Sequence, residues 1–392
     1  MHNDEPQRQV AWATAIGMAL FILSGRWSLA RMGFGETSAL FEPRAWIVVG
    51  LAAIAYSPAL GRTLEMEPVL RTNVGAAAAF LGYLVTSVLW APSSDLPWTK
   101  AYEMLLILVA LTSVARIARW TGPTLLINRF WDALAGALGL MGVLGLLSWI
   151  GGTGERLAVA GGGPNVFGRN MAVLLMLSLS AILAGRRKRT LWLCAAALGA
   201  VLALLSGSRG AIVGMMVGTA TLVYAKRIPV GRFVKIALGL VVFGWFVVTF
   251  TDVGQSALHS FEERFLVLTL EERHDAGRMD IYIHAWEMGL EAPLVGQGLA
   301  AFAANGFHVY PHNIALEAFC EGGLISVVLL GAMLGPQLWR VFSDNADLYA
   351  RDLCVLLVLL MSASFTGDFY DSRGVMLVAL LVSMRRRHPA RL

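Results

Sequence analysis

Charged residues are scarce in this chain of 392 residues. They make up 15% of it and hydrophobic residues make up 57%, whereas a soluble domain ordinarily carries ~25% charged residues. The composition excludes a water-soluble globule, and it excludes intrinsic disorder, which requires low hydrophobicity and high charge. Apolar runs recur from residue 10 to residue 384, so a single membrane anchor is excluded too. Because the runs are long and continuous, we predict an all-α polytopic membrane protein.

Sequence motifs for nucleotide or metal chemistry are also lacking, since there is no Walker A, HExxH or G-x-S-x-G pattern. The three cysteines lie inside apolar runs, where a free thiol behaves as a small hydrophobic side chain. The net charge of +5 reports membrane topology rather than a nucleic-acid partner, because Lys and Arg gather in cytoplasmic loops. We predict no cofactor, no metal and no nucleic acid, with the lipid bilayer as the surrounding medium.

The apolar runs predict about twelve transmembrane helices, since a span needs ~20 mostly apolar residues. Their predicted positions are 10–25, 44–60, 73–91, 100–118, 131–150, 166–184, 190–206, 210–225, 233–251, 313–336, 353–369 and 373–385. Most of the 31 basic residues fall in loops on one side, which predicts that both termini lie on the cytoplasmic side of the membrane. We predict one integral domain, with spans one to nine in 1–251, a long outer loop with short helices in 252–312, and spans ten to twelve with a cytoplasmic tail in 313–392.

The long loop 252–312 makes the outer face the candidate for function, because a loop of this length in a compact protein is usually functional. A helix is expected over 278–291, beginning near Arg278, passing through Trp286 and ending at Pro293.

A second motif of the outer face, His308-Val309-Tyr310-Pro311-His312-Asn313, precedes span ten. Pro311 suits the first turn of a helix, which would place His312 at the positive helix end, where a neutral imidazole is favoured. A metal site on His308 and His312 is disfavoured, because Pro311 interrupts the helix that would align them.

Two further outer motifs contain arginines. In Ser206-Gly207-Ser208-Arg209-Gly210 an arginine lies at the membrane interface, where it either snorkels to water or binds an anion. The stretch GGGPNVFGRN at 161–170 joins a glycine-rich turn to a helix N-terminus, which can hold phosphate and is also ordinary in loops. Asn165 and Arg169 are its candidate substrate contacts.

Three carboxylates, Glu317, Glu321 and Asp368, fall within or near predicted spans, where ionisable groups are functional candidates by default. Glu317 and Glu321 are four residues apart and share a helix face, so either is an alternative base.

Together these motifs resemble the O-antigen ligase family, which includes lipopolysaccharide O-antigen ligases and related O-antigen polymerases. The resemblance rests on Ser208-Arg209-Gly210, on Arg278, Trp286 and the stretch PLVGQG at 293–298, on His312-Asn313, and on Gly163-Pro164-Asn165-Val166-Phe167. It implies a metal-independent glycosyltransferase of GT-C-type architecture, with the family's two arginines at Arg209 and Arg278 and its histidine at His312.

The resemblance also implies the substrates: a glycan on undecaprenyl pyrophosphate as donor and, for a ligase, lipid A–core as periplasmic acceptor. A hydroxyl that attacks the anomeric carbon needs a base, for which we choose His312. The departing diphosphate needs cations, which Arg209 and Arg278 supply. Direct displacement inverts the anomeric centre. Further contacts to the substrate or to His312 are predicted from Arg169, Asn165, Asn313, Tyr310 and Trp286.

Two alternatives stay open. A polymerase of the same family would join glycan repeats on the same carrier, and one large outer loop favours the ligase only slightly. A twelve-helix secondary transporter would show internal repeats and helices broken near the mid-membrane. No repeat is visible in the sequence, and the polar motifs lie at the predicted outer surface.

Overall fold

In a computed structural model of the chain, the structure describes residues 5–24, 42–60, 68–92, 95–150, 157, 159, 162–229, 231, 255 and 278–385. Every regular element in these ranges is helical, which confirms the all-α prediction. The predicted ninth span at 233–251 and most of the long loop before residue 278 lie outside the described residues.

The helices of the described ranges agree with the apolar pattern of the sequence. In chain order they are α1 Glu5–Leu23, α2 Pro43–Ala55, α3 Pro68–Thr86, α4 Leu96–Thr121, α5 Pro123–Ile150, α6 Pro164–Leu183, α7 Arg189–Leu205, α8 Arg209–Ala225, α9 Arg278–Glu291, α10 Ala301–Ala304, α11 Ile314–Trp339, α12 Ala346–Ala363 and α13 Arg373–Met384. Each predicted span other than the ninth therefore coincides with a helix.

The predicted boundaries of spans two and eleven are wrong by several residues. Span two was expected to end at residue 60, but α2 ends at Ala55 because Pro58, which begins a short 3₁₀ turn, disfavours helix in the residue before it. Span eleven was expected over 353–369, but α12 begins with a polar turn at Ala346 and ends at Ala363, before the left-handed Gly367.

Five described helical segments are long and apolar enough to cross a membrane by length and composition. They are Leu70–Trp90, Leu96–Thr121, Pro123–Ile150, Pro164–Leu183 and Ile314–Phe342. The protein is thus a multi-pass membrane protein, and the count of twelve spans stays a prediction, because several other apolar helices are shorter than a straight crossing requires.

One compact unit comprises residues 1–137, 281–339 and 363–392. In it α3 packs against α4, α11 and α13, while α2 packs against α1 and α4. The core is apolar and well packed: Phe80 and Phe369 are fully buried and meet edge to face, with ring centroids 5.7 Å apart. This unit contains the loop that carries His312.

A buried arginine terminates α1 in the same unit. Arg373, 1% exposed, donates hydrogen bonds of 2.6 Å to the backbone oxygens of Phe21 and Ile22, which lie in the last turn of α1. A third bond of 2.7 Å goes to the backbone oxygen of Tyr370. The last carbonyls of a helix have no partner within it, so Arg373 supplies what α1 itself cannot.

We expect Arg373→Met to lower the stability of the protein by about 3 kcal/mol, because three buried carbonyl oxygens lose a charged donor. Thermal unfolding of the purified protein in detergent measures this loss. Arg187→Met removes an exposed arginine and should leave the unfolding temperature unchanged. Equal stability of the two variants would contradict the capping role of Arg373.

The second unit comprises residues 138–280 and 340–362. In it α6 packs against both α7 and α8. The four-residue glycine spacing of α8 serves close packing: Cβ atoms on Gly214 and Gly218 would lie 3.2 Å from the backbone oxygens of Val358 and Cys354 of α12. This unit contains Arg169 and Arg209.

Candidate active site

The loop before α11 presents His312 next to the helix, not inside it. α11 begins at Ile314, and Oδ1 of Asn313 accepts hydrogen bonds from the backbone N–H groups of Ala315 at 2.9 Å and Leu316 at 3.1 Å. Asn313 is therefore the N-cap, and the predicted place of Pro311 in the first helical turn is wrong. His312 directly precedes the cap.

Asn313 also ties this helix start to its surroundings, because its Nδ2 donates to the backbone oxygen of Ser364 at 3.2 Å. Both ends of its side-chain amide are thus engaged by the protein. Asn313 directly follows His312, and its hydrogen bonds hold its own backbone in place. Its predicted role in orienting His312 can therefore operate through the backbone.

His312 has a backbone conformation that few residues of its kind adopt. Its φ is 59°, in the left-handed region, which costs free energy for a residue with a Cβ and is found preferentially at functional sites. Its ring is half-buried and lies 4.6 Å from the ring of Tyr310 and 4.9 Å from that of His308, between centroids. The structure therefore brings Tyr310 and His312 together, as a small aromatic cluster on the loop.

The helix that follows is broken in its third turn. Gly323 has φ 63° and ψ −167° inside α11, so the helical hydrogen bonds that would join residues 324 and 325 to 320 and 321 are lost. The PLVGQG stretch replaces them: the N–H groups of Leu324 and Ile325 donate to the oxygens of Pro293 and Leu294, at 2.8 and 3.2 Å.

The same stretch satisfies the carbonyl groups on the other side of the break. The N–H groups of Gln297 and Gly298 donate to the oxygens of Cys320 and Glu321, both at 2.9 Å. In an apolar environment every backbone polar group must find a partner, and here four hydrogen bonds take the place of two. The break separates a half-helix, Ile314–Gly322, from the rest of α11.

Glycine is required on both sides of this junction. A Cβ on Gly323 would overlap the backbone of Leu294, and a Cβ on Gly296 (φ 72°) would overlap the backbone of Glu321. The turn at Gly296 is therefore a junction with a helix that is distant in the sequence.

We expect Gly323→Ala to reduce the yield of folded protein strongly, because the added methyl group meets backbone that cannot move aside and the φ is unfavourable. Gly331→Ala is the matched control: Gly331 lies in the same helix with open space around its Cα, so this change should be neutral or slightly stabilising. Size-exclusion profiles of the two purified variants measure the yield of folded protein. Similar profiles would contradict the requirement for glycine at residue 323.

The predicted loop helix is confirmed as α9, Arg278–Glu291. Its C-terminal end is held by Gln297, whose Nε2 donates to the oxygen of Met288 at 3.3 Å and to Oε2 of Glu291 at 2.9 Å. Trp286 packs on Phe319 of the half-helix with ring centroids 5.0 Å apart and remains 51% exposed. Trp286 thus offers an open aromatic face beside the half-helix, suited to a sugar ring.

In the second unit, Arg209 opens α8. Ser208 is the N-cap and accepts a hydrogen bond from the N–H of Ala211 at 3.3 Å, and Arg209, half-buried, is the first helical residue. A helix N-terminus carries partial positive charge, so a cation there is unfavourable unless an anion joins it. The position suits an anion-binding arginine.

The glycine-rich motif of α6 packs on this same turn. A Cβ on Gly168 would overlap Oγ of Ser206 and lie 3.0 Å from Cβ of Ser208, so α6 approaches the start of α8 closely. Arg169, next to Gly168, is 5% exposed, and Asn165 lies one turn earlier on α6, half-buried. The motifs containing Arg169 and Arg209 are therefore neighbours.

A charged cluster that the sequence did not reveal lies in the first unit. Nζ of Lys100, in the second turn of α4, is 2.5 Å from Oε1 of Glu317 and 2.7–2.8 Å from both carboxylate oxygens of Glu321. The two glutamates are 0% and 1% exposed. The carboxylates considered as alternative bases are therefore bound to an ammonium group. A lysine inside a predicted span was the available signal.

The predicted residues thus fall into two groups. Trp286, Tyr310, His312 and Asn313 belong to the first unit, whereas Asn165, Arg169, Arg209 and Arg278 belong to the second. Among the described residues, no cluster of three or more His, Cys, Asp or Glu side chains is arranged to hold a metal ion.

Comparison with known proteins gives one family match. No curated protein matches the chain. Residues 194–331 match the family model described as O-antigen ligase, and this stretch includes Arg209, Arg278 and His312 as well as the break in α11. The match confirms the resemblance drawn from the motifs: residues 194–331 of this membrane protein are similar to the O-antigen ligase family.

Proposed function

We propose that the protein is an O-antigen ligase, an inverting glycosyltransferase that moves a glycan from undecaprenyl pyrophosphate to a hydroxyl of lipid A–core on the periplasmic face of the inner membrane. The observation that carries the proposal is the family match over 194–331. The matched stretch contains a half-buried histidine in a strained backbone conformation and an arginine at a capped helix N-terminus.

In the proposed reaction, His312 accepts the proton of the acceptor hydroxyl as its oxygen attacks the anomeric carbon. The bond between that carbon and the phosphate oxygen breaks, and undecaprenyl pyrophosphate leaves with the electron pair. Arg209 and Arg278 neutralise the charge that develops on the diphosphate, the role that a divalent metal plays in other enzymes. Attack opposite to the leaving group inverts the anomeric configuration.

The remaining predicted residues have supporting roles in the proposal. Arg169 and Asn165 extend the diphosphate site, because their helix packs on the turn that opens with Arg209. Trp286 and Tyr310 contact sugar rings, which aromatic side chains suit through their apolar faces. Asn313 holds the backbone at His312 through the helix cap. The twelve-span topology, the cytoplasmic termini and the GT-C-type architecture belong to the same proposal.

The second candidate is a polymerase, since the family that the motifs resemble includes both activities. The broken helix α11 is also a feature that a transporter would show. Here, however, the backbone groups freed by the break are bonded to the PLVGQG stretch, whereas a transporter leaves such groups open to its substrate.

Deletion of the gene in its host separates the two family activities. Loss of a ligase leaves lipid A–core bare while long glycans accumulate on undecaprenyl pyrophosphate. Loss of a polymerase leaves lipid A–core with a single repeat unit attached. We expect the first pattern on gels of extracted lipopolysaccharide and carrier lipid, reversed by a plasmid copy. The second pattern would assign the polymerase, and unchanged lipopolysaccharide would exclude both.

A further inference from the structure

The half-helix Ile314–Gly322 needs an anchor that its own helix does not provide. Because α11 is interrupted at Gly323, the direction of this segment is not fixed by continuity with the longer part of the helix. Its first residue follows Asn313, and His312 precedes that cap. Any tilt or rotation of the half-helix therefore moves the backbone from which His312 projects.

Lys100 provides a charged anchor from another helix. Its Nζ bridges Glu317 and Glu321, one helical turn apart on the half-helix, at 2.5–2.8 Å. The ammonium group also lies over the ring of Phe369, 5.1 Å from its centroid. Three hydrogen bonds from one cation to two buried carboxylates fix both the rotation of the half-helix about its axis and its distance from α4.

The cluster costs free energy that simple stability does not explain. Burying two carboxylates and an ammonium group is expensive, and well-packed apolar residues of similar size stabilise a fold as well or better. Oε2 of Glu317 is buried and makes no hydrogen bond within the described part of the chain. We therefore interpret the cluster of Lys100, Glu317 and Glu321 as an arrangement that selects one geometry of the half-helix, and not as a source of stability.

We propose that Lys100 is a positioning residue for glycan transfer, which holds the half-helix Ile314–Gly322 and thereby places His312. This inference rests on the proposed role of His312. It predicts that loss of Lys100 impairs the chemical step far more than substrate binding, because a base displaced by about 1 Å can cost about 100-fold in rate.

The test uses three variants of the protein and one control. Lys100→Met removes the anchor but leaves two unpaired buried carboxylates, which could prevent folding. The triple variant K100M/E317Q/E321Q avoids this problem because it removes all three charges. Lys100→Arg keeps a cation that can bridge the two carboxylates. Lys226→Met is the matched control, since Lys226 forms a 2.6 Å ion pair with the exposed Asp347 in the second unit.

We expect kcat for the triple variant to fall about 100-fold while KM for lipid A–core changes less than about 3-fold. Lys100→Arg should keep most of the parental kcat, since its guanidinium can form two hydrogen bonds at once. Lys226→Met should have the parental kcat. A folded triple variant with a normal kcat overturns the proposal, as does a triple variant whose only defect is a lower yield.

A second measurement does not depend on catalysis. With Cys194, the exposed native cysteine, replaced by serine, His312→Cys is labelled with a thiol reagent. We expect the labelling rate to change at least several-fold when K100M/E317Q/E321Q is added and not when K226M is added; an unchanged rate overturns the positioning role. If the parent transfers no glycan, the proposed function fails, while the labelling result still decides whether Lys100 places residue 312.

Discussion

His312→Asn should lower kcat for glycan transfer about 10³-fold, the magnitude typical for loss of a general base. Asparagine is the suitable replacement because it tolerates the left-handed backbone conformation found at residue 312 (φ 59°) and cannot accept the proton. The variant should therefore fold normally. Initial rates with purified donor and acceptor measure the effect.

His308→Ala is the matched control, because His308 lies in the same loop with its ring 4.9 Å from that of His312. We expect it to cost less than about 10-fold, as a packing neighbour outside the chemistry. If the two variants lose the same activity, or if His312→Asn retains the parental rate, the base is not His312.

Arg209→Ala should also lower kcat about 10³-fold, because the developing charge on the diphosphate loses a preorganised cation. Arg209→Lys should recover a part of the loss, since lysine keeps the charge but lacks the planar fork that binds phosphate oxygens in pairs. Both variants should fold, because the cap of α8 is made by Ser208 and not by Arg209.

Arg189→Ala is the control for the change at Arg209. Arg189 is also the first residue of a helix, α7, and is exposed. It is separated from the turn before α8 by the 17 residues of α7, or about 25 Å of helix. Parental activity is expected. Equal losses at Arg189 and Arg209 would indicate a general effect of surface charge and contradict the diphosphate site.

The helices were predictable from the sequence because long apolar runs suffice to define them. The loop helix α9 was predictable as well, since Pro293 follows it. The role of the PLVGQG stretch was not, because its glycines are required by backbone segments that are distant in the sequence: Gly296 lies against the backbone of Glu321, and Gly298 lies against that of Ala91. The pair Gly322-Gly323 is a local signal for a break, but glycine inside an apolar run equally serves close helix packing, so the sequence did not single out this reading.

The cluster of Lys100, Glu317 and Glu321 could not be predicted from the sequence either, because it also depends on a long-range contact. Glu317 and Glu321 were visible as intramembrane carboxylates, but their partner Lys100 is 217 residues away from Glu317. Helix caps were only partly predictable: the sequence favoured Pro311 at the start of α11, whereas Asn313 caps it because its side chain accepts two backbone N–H groups. Long-range partners and competing caps are decided by packing.

The most direct test of the central claim is a reaction of the purified protein with undecaprenyl-pyrophosphate glycan and lipid A–core in the presence of a metal chelator. The products are followed by mass spectrometry, and the configuration of the new bond by NMR. We predict glycan on lipid A–core with inverted configuration, formed at the same rate as without chelator, and an equal amount of undecaprenyl pyrophosphate. A retained configuration, a requirement for divalent metal, or longer glycan that stays on the carrier would contradict the account.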